Sequence, residues 1–196
     1  MNIQEVFQII AGIFVRGDQQ WLDLKERKYG WQVILIHITI PFLFLSSYAA
    51  VFSTPVELKF NLAPTSWFFV MFISNLLAIL SSAGMIAALA PRFNGERSYD
   101  NVVTLLSLSY IPVFVATILG AFHPVFRVFS IAGLVLMIFL FLKGVRLMIG
   151  VPVHKQMGFA FIALILLFAV RVILLSIATA FALAITGTLY EVIPQV

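Results

Sequence analysis

The sequence predicts an all-α, polytopic integral membrane protein with five transmembrane helices and an N-terminal interfacial amphipathic helix. Three observations carry that prediction. The chain is 62% hydrophobic and 10% charged, whereas soluble domains carry about 25% charged residues, so a soluble fold would lack a polar skin. The mean hydropathy is +1.10. Five apolar stretches are each long enough to cross a hydrocarbon core of about 30 Å. Cysteine is absent, which excludes disulfides, thiolate catalysis and cysteine-bound metals. The net charge of +4 lies beside apolar runs, where it reports orientation and lipid headgroups rather than nucleic acid.

Residues 1–30 form a cytoplasmic or interfacial segment. Ile3, Phe7, Ile10 and Phe14 recur at helical spacing, joined by Val6 and Ile13, with Gln4, Glu5 and Gln8 filling much of the rest. That pattern predicts a helix lying in the membrane surface. The segment has no basic start and carries Glu5, so it is not read as a cleaved signal peptide. "WLDLKERKYGW" follows, placing Trp21 and a basic group at headgroup level.

The transmembrane domain covers 31–187. The first span, 31–52, contains Pro41, which should kink it and leave carbonyls to be satisfied inside the protein. The second covers 67–90, with Trp67, like Trp31, expected as an interfacial anchor. Gly84 and Ala88 form a small-xxx-small pair suited to close helix approach. Pro91 ends this helix and Asn94-Gly95 signals a turn. The third and fourth spans, 102–122 and 125–149, are separated by His123-Pro124, so they should form a tight antiparallel pair. Pro112 should bend the third, and Arg127 should snorkel from the first turn of the fourth. Gly150 and Pro152 close the fourth. The fifth covers 158–186, with Gly187 as its expected C-cap and 188–196 as a short tail.

Basic residues choose the orientation. Arg16, Lys25, Arg27, Lys28, Arg92, Arg97, Lys143, Arg146 and Lys155 share one side, against Lys59 and Arg127 on the other. The positive-inside rule then puts the N-terminus in the cytoplasm and the C-terminus outside.

Few constellations carry chemistry. His37, His123 and His154 fall at different levels of the bilayer and cannot share a metal. No Asp or Glu occurs within an assigned span, and no metalloprotease, phosphate-loop or nucleophile-elbow motif is present. An enzyme is not expected, nor a cofactor. His37 near Ser46, Ser74 or Ser81 is the sole serine–histidine arrangement conceivable in the spans. The loop "PRFNGERSYDN" holds Arg92, Glu96, Arg97 and Asp100, and should pair its own ions and cap the third span through Ser98 or Asp100. Its alternative use is to bind a cytoplasmic protein or a lipid phosphate.

The stretch "GERSYDNVVTLLSLSYIPVFVATIL" resembles the core of the Yip1 domain family, with Gly95, Tyr99, Tyr110 and Pro112 in the matching roles. The likeness extends over about residues 5–185 in size, span order and orientation. It implies a compact five-span helical domain. The chain lacks the long acidic cytoplasmic segment of eukaryotic members and is similar to the small bacterial inner-membrane ones. What the resemblance implies is a non-enzymatic scaffold, or a protein interacting with lipids or a partner. The alternative is a small transporter or channel with a polar site near Arg171. Membrane lipids, a cytoplasmic or membrane protein and a second copy of the chain are the candidate partners.

Arg171 sits near the middle of the fifth span, with no span carboxylate to pair with. Charge at that depth costs about 2.5 kcal/mol or more. Its donors must meet carbonyls, hydroxyls, Asn75, water, a lipid phosphate or a bound anion. A structural role bonding spans one to three is favoured, because no second basic residue is expected at the same depth.

Overall fold

The computed structural model describes residues 1–27, 29–54, 59 and 62–192, the last six of these as backbone. Lys28 and the end of the tail, 193–196, lie outside the described residues. All regular structure among the described residues is helical. Five helices are long and apolar enough to cross a membrane: span one, Trp31–Ser53; span two, Pro64–Phe93; span three, Tyr99–Phe122; span four, Pro124–Ile149; and span five, Val153–Thr186. The last belongs to a helix that continues to Val192, so Gly187 does not cap it. Two shorter helices precede the spans, α1 (Ile3–Val15) and α2 (Asp18–Arg27). They lie at the end of the bundle that also holds the turns at 94–98 and 150–152, called here the basic end; the opposite end is the far end.

Span three is the most buried and forms the axis. Its first half, Val102 to Ser109, is buried on every side. Span four packs against it as an antiparallel partner. Gly133 permits the contact: a Cβ there would stand 2.8 Å from the Pro112 carbonyl oxygen and 2.9 Å from Ala116 Cβ. Span one flanks span three on another side, span two packs on span one, and span five leans along span two. Span five meets span four near its own start, where Gln156 Nε2 donates to the Leu142 carbonyl at 2.6 Å.

Pro41 and Pro112 each interrupt the regular helix near them. Ahead of Pro41 the helix widens into a π turn, Leu35–Thr39, and resumes at Ile40. Such a turn absorbs the missing N–H of proline by shifting the bonding register. Thr39 Oγ1 then donates to Ser107 Oγ at 2.7 Å, joining spans one and three in a fully buried contact. Span three breaks at Tyr110, between helices Tyr99–Ser109 and Ile111–Phe122, because Pro112 cannot donate.

Several sequence expectations are corrected by packing. Trp67 is 3% exposed and packs with Val51, Leu62 and Val70, so it is a core residue rather than an interfacial anchor. Trp21 is 0% exposed and packs beside Gly144 of span four, so it is a core residue rather than an exposed anchor. Gly84 and Ala88 are exposed, and the small residues turned into the bundle are Ala83, Ala87 and Ala90. The small-residue repeat is real, but the buried stripe runs one position earlier. The 91–101 loop does not pair its own ions among the described residues. Glu96 pairs with Lys25 of α2 at 3.0 Å, and Asp100 Oδ1 accepts from the Trp31 backbone N–H at 2.8 Å. Ser98 does cap span three, accepting from the Asn101 N–H.

α1 and α2 form a hairpin turned by Gly17, whose φ of +55° lies in the left-handed region that glycine adopts readily. Ile9, Gly12 and Ile13 are buried against the protein, and Ile10 packs partly there. Ile3, Phe7, Phe14 and Val15 face outward, Phe7 at 66% exposure. The apolar residues of α1 thus divide into a protein-facing arc and an exposed one. The Tyr29 hydroxyl donates to Glu5, and Arg27 lies 3.6 Å from the same carboxylate, tying α1 to the lead-in of span one. The Tyr29 bond holds the Glu5 carboxyl below the usual carboxylate range. Lys143 and Asp18, 3.3 Å apart, tie α2 to span four.

Candidate functional site

The far-end half of the bundle encloses a pocket of about 310 Å³ to which all five spans contribute. Span one supplies Ser46, Ser47, Ala50, Ser53 and Thr54, which fall on one helical face by their three- and four-residue spacing. Span three supplies Tyr110, Phe114, Thr117 and Gly120. The Pro112 break sits beside Tyr110, whose side chain lines the cavity while 4% exposed. Met71 and Asn75 come from span two, Arg127 and Ser130 from span four, and Arg171 from span five.

Hydrogen bonds hold much of the lining to its own helices. Ser46 Oγ donates to the Leu43 carbonyl at 3.1 Å, Asn75 Nδ2 to Met71 at 2.7 Å, and Thr117 Oγ1 to Val113 at 2.9 Å. The Tyr110 hydroxyl and the Arg171 guanidinium line the same cavity and interact electrostatically. Ser47 is different: its Oγ is buried, at 2% residue exposure, with no hydrogen-bond partner among the described residues. An unpaired buried hydroxyl costs about 1–3 kcal/mol.

The charge is one-sided. Two guanidiniums line the pocket, and no carboxylate lines it among the described residues. The described ion pairs involve Lys25, Arg27 and Lys143 instead. Burial is graded as well. Ser46, Ser47, Ala50, Tyr110, Phe114 and Gly120, from spans one and three, are buried. Arg127 and Ser130 are exposed and Arg171 is half-buried. The open side therefore faces the gap between spans four and five. From Thr54 to Ser46 the floor descends by about 12 Å at 1.5 Å per residue. Beneath it, Leu43, Leu106 and Leu108 are fully buried and fill the bundle.

Of the residues singled out from sequence, Arg171, Asn75 and Tyr110 come together here, and Pro112 shapes the backbone beside Tyr110. The others do not join them. Tyr99 donates its hydroxyl to the Leu80 carbonyl at 3.2 Å and packs edge-on to Trp31. His37 Nδ1 donates to the Val33 carbonyl at 2.9 Å within span one, and neither Ser46 nor Ser74 bonds to it. Arg92 and Arg97 are exposed at the basic end. No group of three His, Cys, Asp or Glu side chains suited to a metal occurs among the described residues.

Arg127 is a pocket residue that sequence reasoning missed. It lies exposed in the first turn of span four, as expected, and also lines the same pocket as Arg171, a link between the two cations that the sequence did not show. Ser47, Thr54 and Ser130 were also missed. The signal was present in the stripe of small polar residues at 46, 47, 53 and 54, which repeats at helical spacing on span one.

Comparison with curated proteins and with solved structures gives no match. A family model, the Yip1 domain, matches residues 11–186, which include every span and the whole pocket lining. With the match covering most of the chain, and with five apolar helices packed around a span that breaks at Tyr110, this polytopic membrane protein belongs to the Yip1 domain family.

Proposed function

We propose that this Yip1-domain protein is a non-enzymatic, lipid-interacting protein of a bacterial inner membrane, and that its pocket takes an anionic headgroup from the leaflet opposite the cytoplasm. One observation carries the reading: Arg127 and Arg171 line a pocket that has no carboxylate among its described lining residues and is open between spans four and five. A guanidinium has five donors and retains its charge at any physiological pH. The Tyr110 hydroxyl lines the same cavity and can meet only a fraction of what Arg171 offers. An anion satisfies the remainder, and in a bilayer the anion at hand is a lipid phosphate.

The orientation comes from the positive-inside bias, which puts the basic end in the cytoplasm and the pocket on the other side. The bacterial inner membrane comes from the resemblance to bacterial inner-membrane members of the family. A through-path for a transported solute is less well supported, because Leu43, Leu106 and Leu108 fill the bundle beneath the pocket floor.

Thermal unfolding in neutral detergent, with and without added phosphatidylglycerol, tests the proposal. A ligand at 100 times its dissociation constant stabilises the native state by about 2.7 kcal/mol. The wild type should gain on that scale, Arg171→Lys less, and Arg171→Leu nothing. A leucine variant that responds to the lipid as wild type does overturns the headgroup reading.

A further inference from the structure

Resting on that reading of the pocket, we infer that its preferred ligand is a lipid ending in a phosphate monoester, rather than a phosphodiester lipid. Three features converge on this. The pocket is blind: Ser47 and Tyr110 form a buried floor, and fully buried Leu43, Leu106 and Leu108 lie below it. A phosphodiester carries a further alcohol beyond the phosphorus, which would have to occupy that floor. A monoester places its terminal oxygens there with nothing beyond them.

The donors suit such a group. Ser47 Oγ is buried without a partner among the described residues, and the Tyr110 hydroxyl and the Arg171 guanidinium line the same cavity. Together they offer hydrogen bonds to several oxygens of one phosphate.

Charge points the same way. Among the described residues the lining carries two guanidiniums and no carboxylate. A phosphate monoester carries a charge of about −1.5 to −2 at neutral pH, because its second ionisation lies near 6. A diester carries a single negative charge and leaves one guanidinium uncompensated. The lipid tail leaves through the open side between spans four and five, where Arg127 and Ser130 are exposed.

The test uses the full chain in phosphatidylcholine nanodiscs, titrated with phosphatidic acid or with phosphatidylglycerol and read by native mass spectrometry. One further arm adds inorganic phosphate as a competitor. Wild type should prefer phosphatidic acid by about tenfold or more, the scale of one charge-assisted hydrogen bond. Arg127→Gln, at the exposed mouth where folding is not at stake, should reduce that preference to within about twofold, while Arg92→Gln at the basic end should leave it unchanged. Equal binding of the two lipids by wild type, lost in Arg171→Leu, overturns the monoester inference and leaves the headgroup reading standing. Equal binding that neither pocket variant alters overturns both. Displacement of phosphatidic acid by millimolar inorganic phosphate makes the ligand a free phosphate, and overturns the lipid part of the inference.

Discussion

Gly133→Ala tests the contact that holds spans three and four together. The new Cβ would lie 2.8 Å from the Pro112 carbonyl oxygen and 2.9 Å from Ala116 Cβ, both closer than real Cβ atoms approach. One of these neighbours is backbone, just past the break at Tyr110, and cannot swing aside like a side-chain end. The two spans must therefore part. Overpacking of this kind costs about 1–3 kcal/mol. Alanine's better helix propensity offsets at most about 1 kcal/mol of it. A net destabilisation of about 1–2 kcal/mol follows. Gly84→Ala supplies the comparison, because its Cβ would meet Tyr99 Cε2 at 3.9 Å, an ordinary contact. That change should be neutral or stabilising by about 0.4–1 kcal/mol. Equilibrium unfolding of the three proteins by denaturing detergent in mixed micelles measures both. The structure thus expects opposite signs at two glycines on apolar helices. If Gly133→Ala proves as stable as Gly84→Ala, the close approach of spans three and four is refuted.

Phe7→Asp should withdraw the exposed arc of α1 from lipid while leaving the bundle intact, since α1 docks through Ile9 and Ile13. A fluorophore at residue 14 should lose quenching by brominated lipid, with unfolding changed by less than about 0.5 kcal/mol; unchanged quenching refutes the interfacial placement. Placing the charge at Ile10 would instead disturb protein packing. The depressed Glu5 pKa gives an acid-sensitive tether. Its contribution is present above the ordinary carboxylate pKa of 4.5 and is lost as pH falls through the lower folded value. Spin labels on α1 and span one should separate on acidification in wild type and show no such transition in Glu5→Gln; identical curves would rule the tether out. For topology, a reporter active only in the cytoplasm should work when fused at Met1 or within Arg92–Asp100 and fail at Val196. Activity at Val196 contradicts the proposed orientation.

Composition, hydropathy and proline position are local properties, and they determined a good deal. The apolar runs set the number of spans, because the bilayer demands internally bonded helices of a certain length. Pro112 announced the break in span three, since a missing N–H has the same consequence in any helix. Arg171 declared itself as a charge near mid-span with no carboxylate inside the spans read from sequence, 31–52, 67–90, 102–122, 125–149 and 158–186. What the sequence could not decide was which face of each helix meets another. Gly84 and Ala88 have the spacing of a packing motif, yet Ala83 and Ala87 are the residues turned inward. Trp67 and Trp21 have the character of interfacial anchors, yet both are core. In lipid an apolar side chain is equally at ease against a neighbouring helix or an acyl chain, so hydropathy carries no signal for the choice. Close-packing makes that choice, through the shapes of facing surfaces. The pocket arises in the same way. Arg127 and Arg171 are 44 positions apart on different spans, and no periodicity relates them. They meet because span five leans along span two and leaves a gap beside span four, a matter of how five helices fill space together.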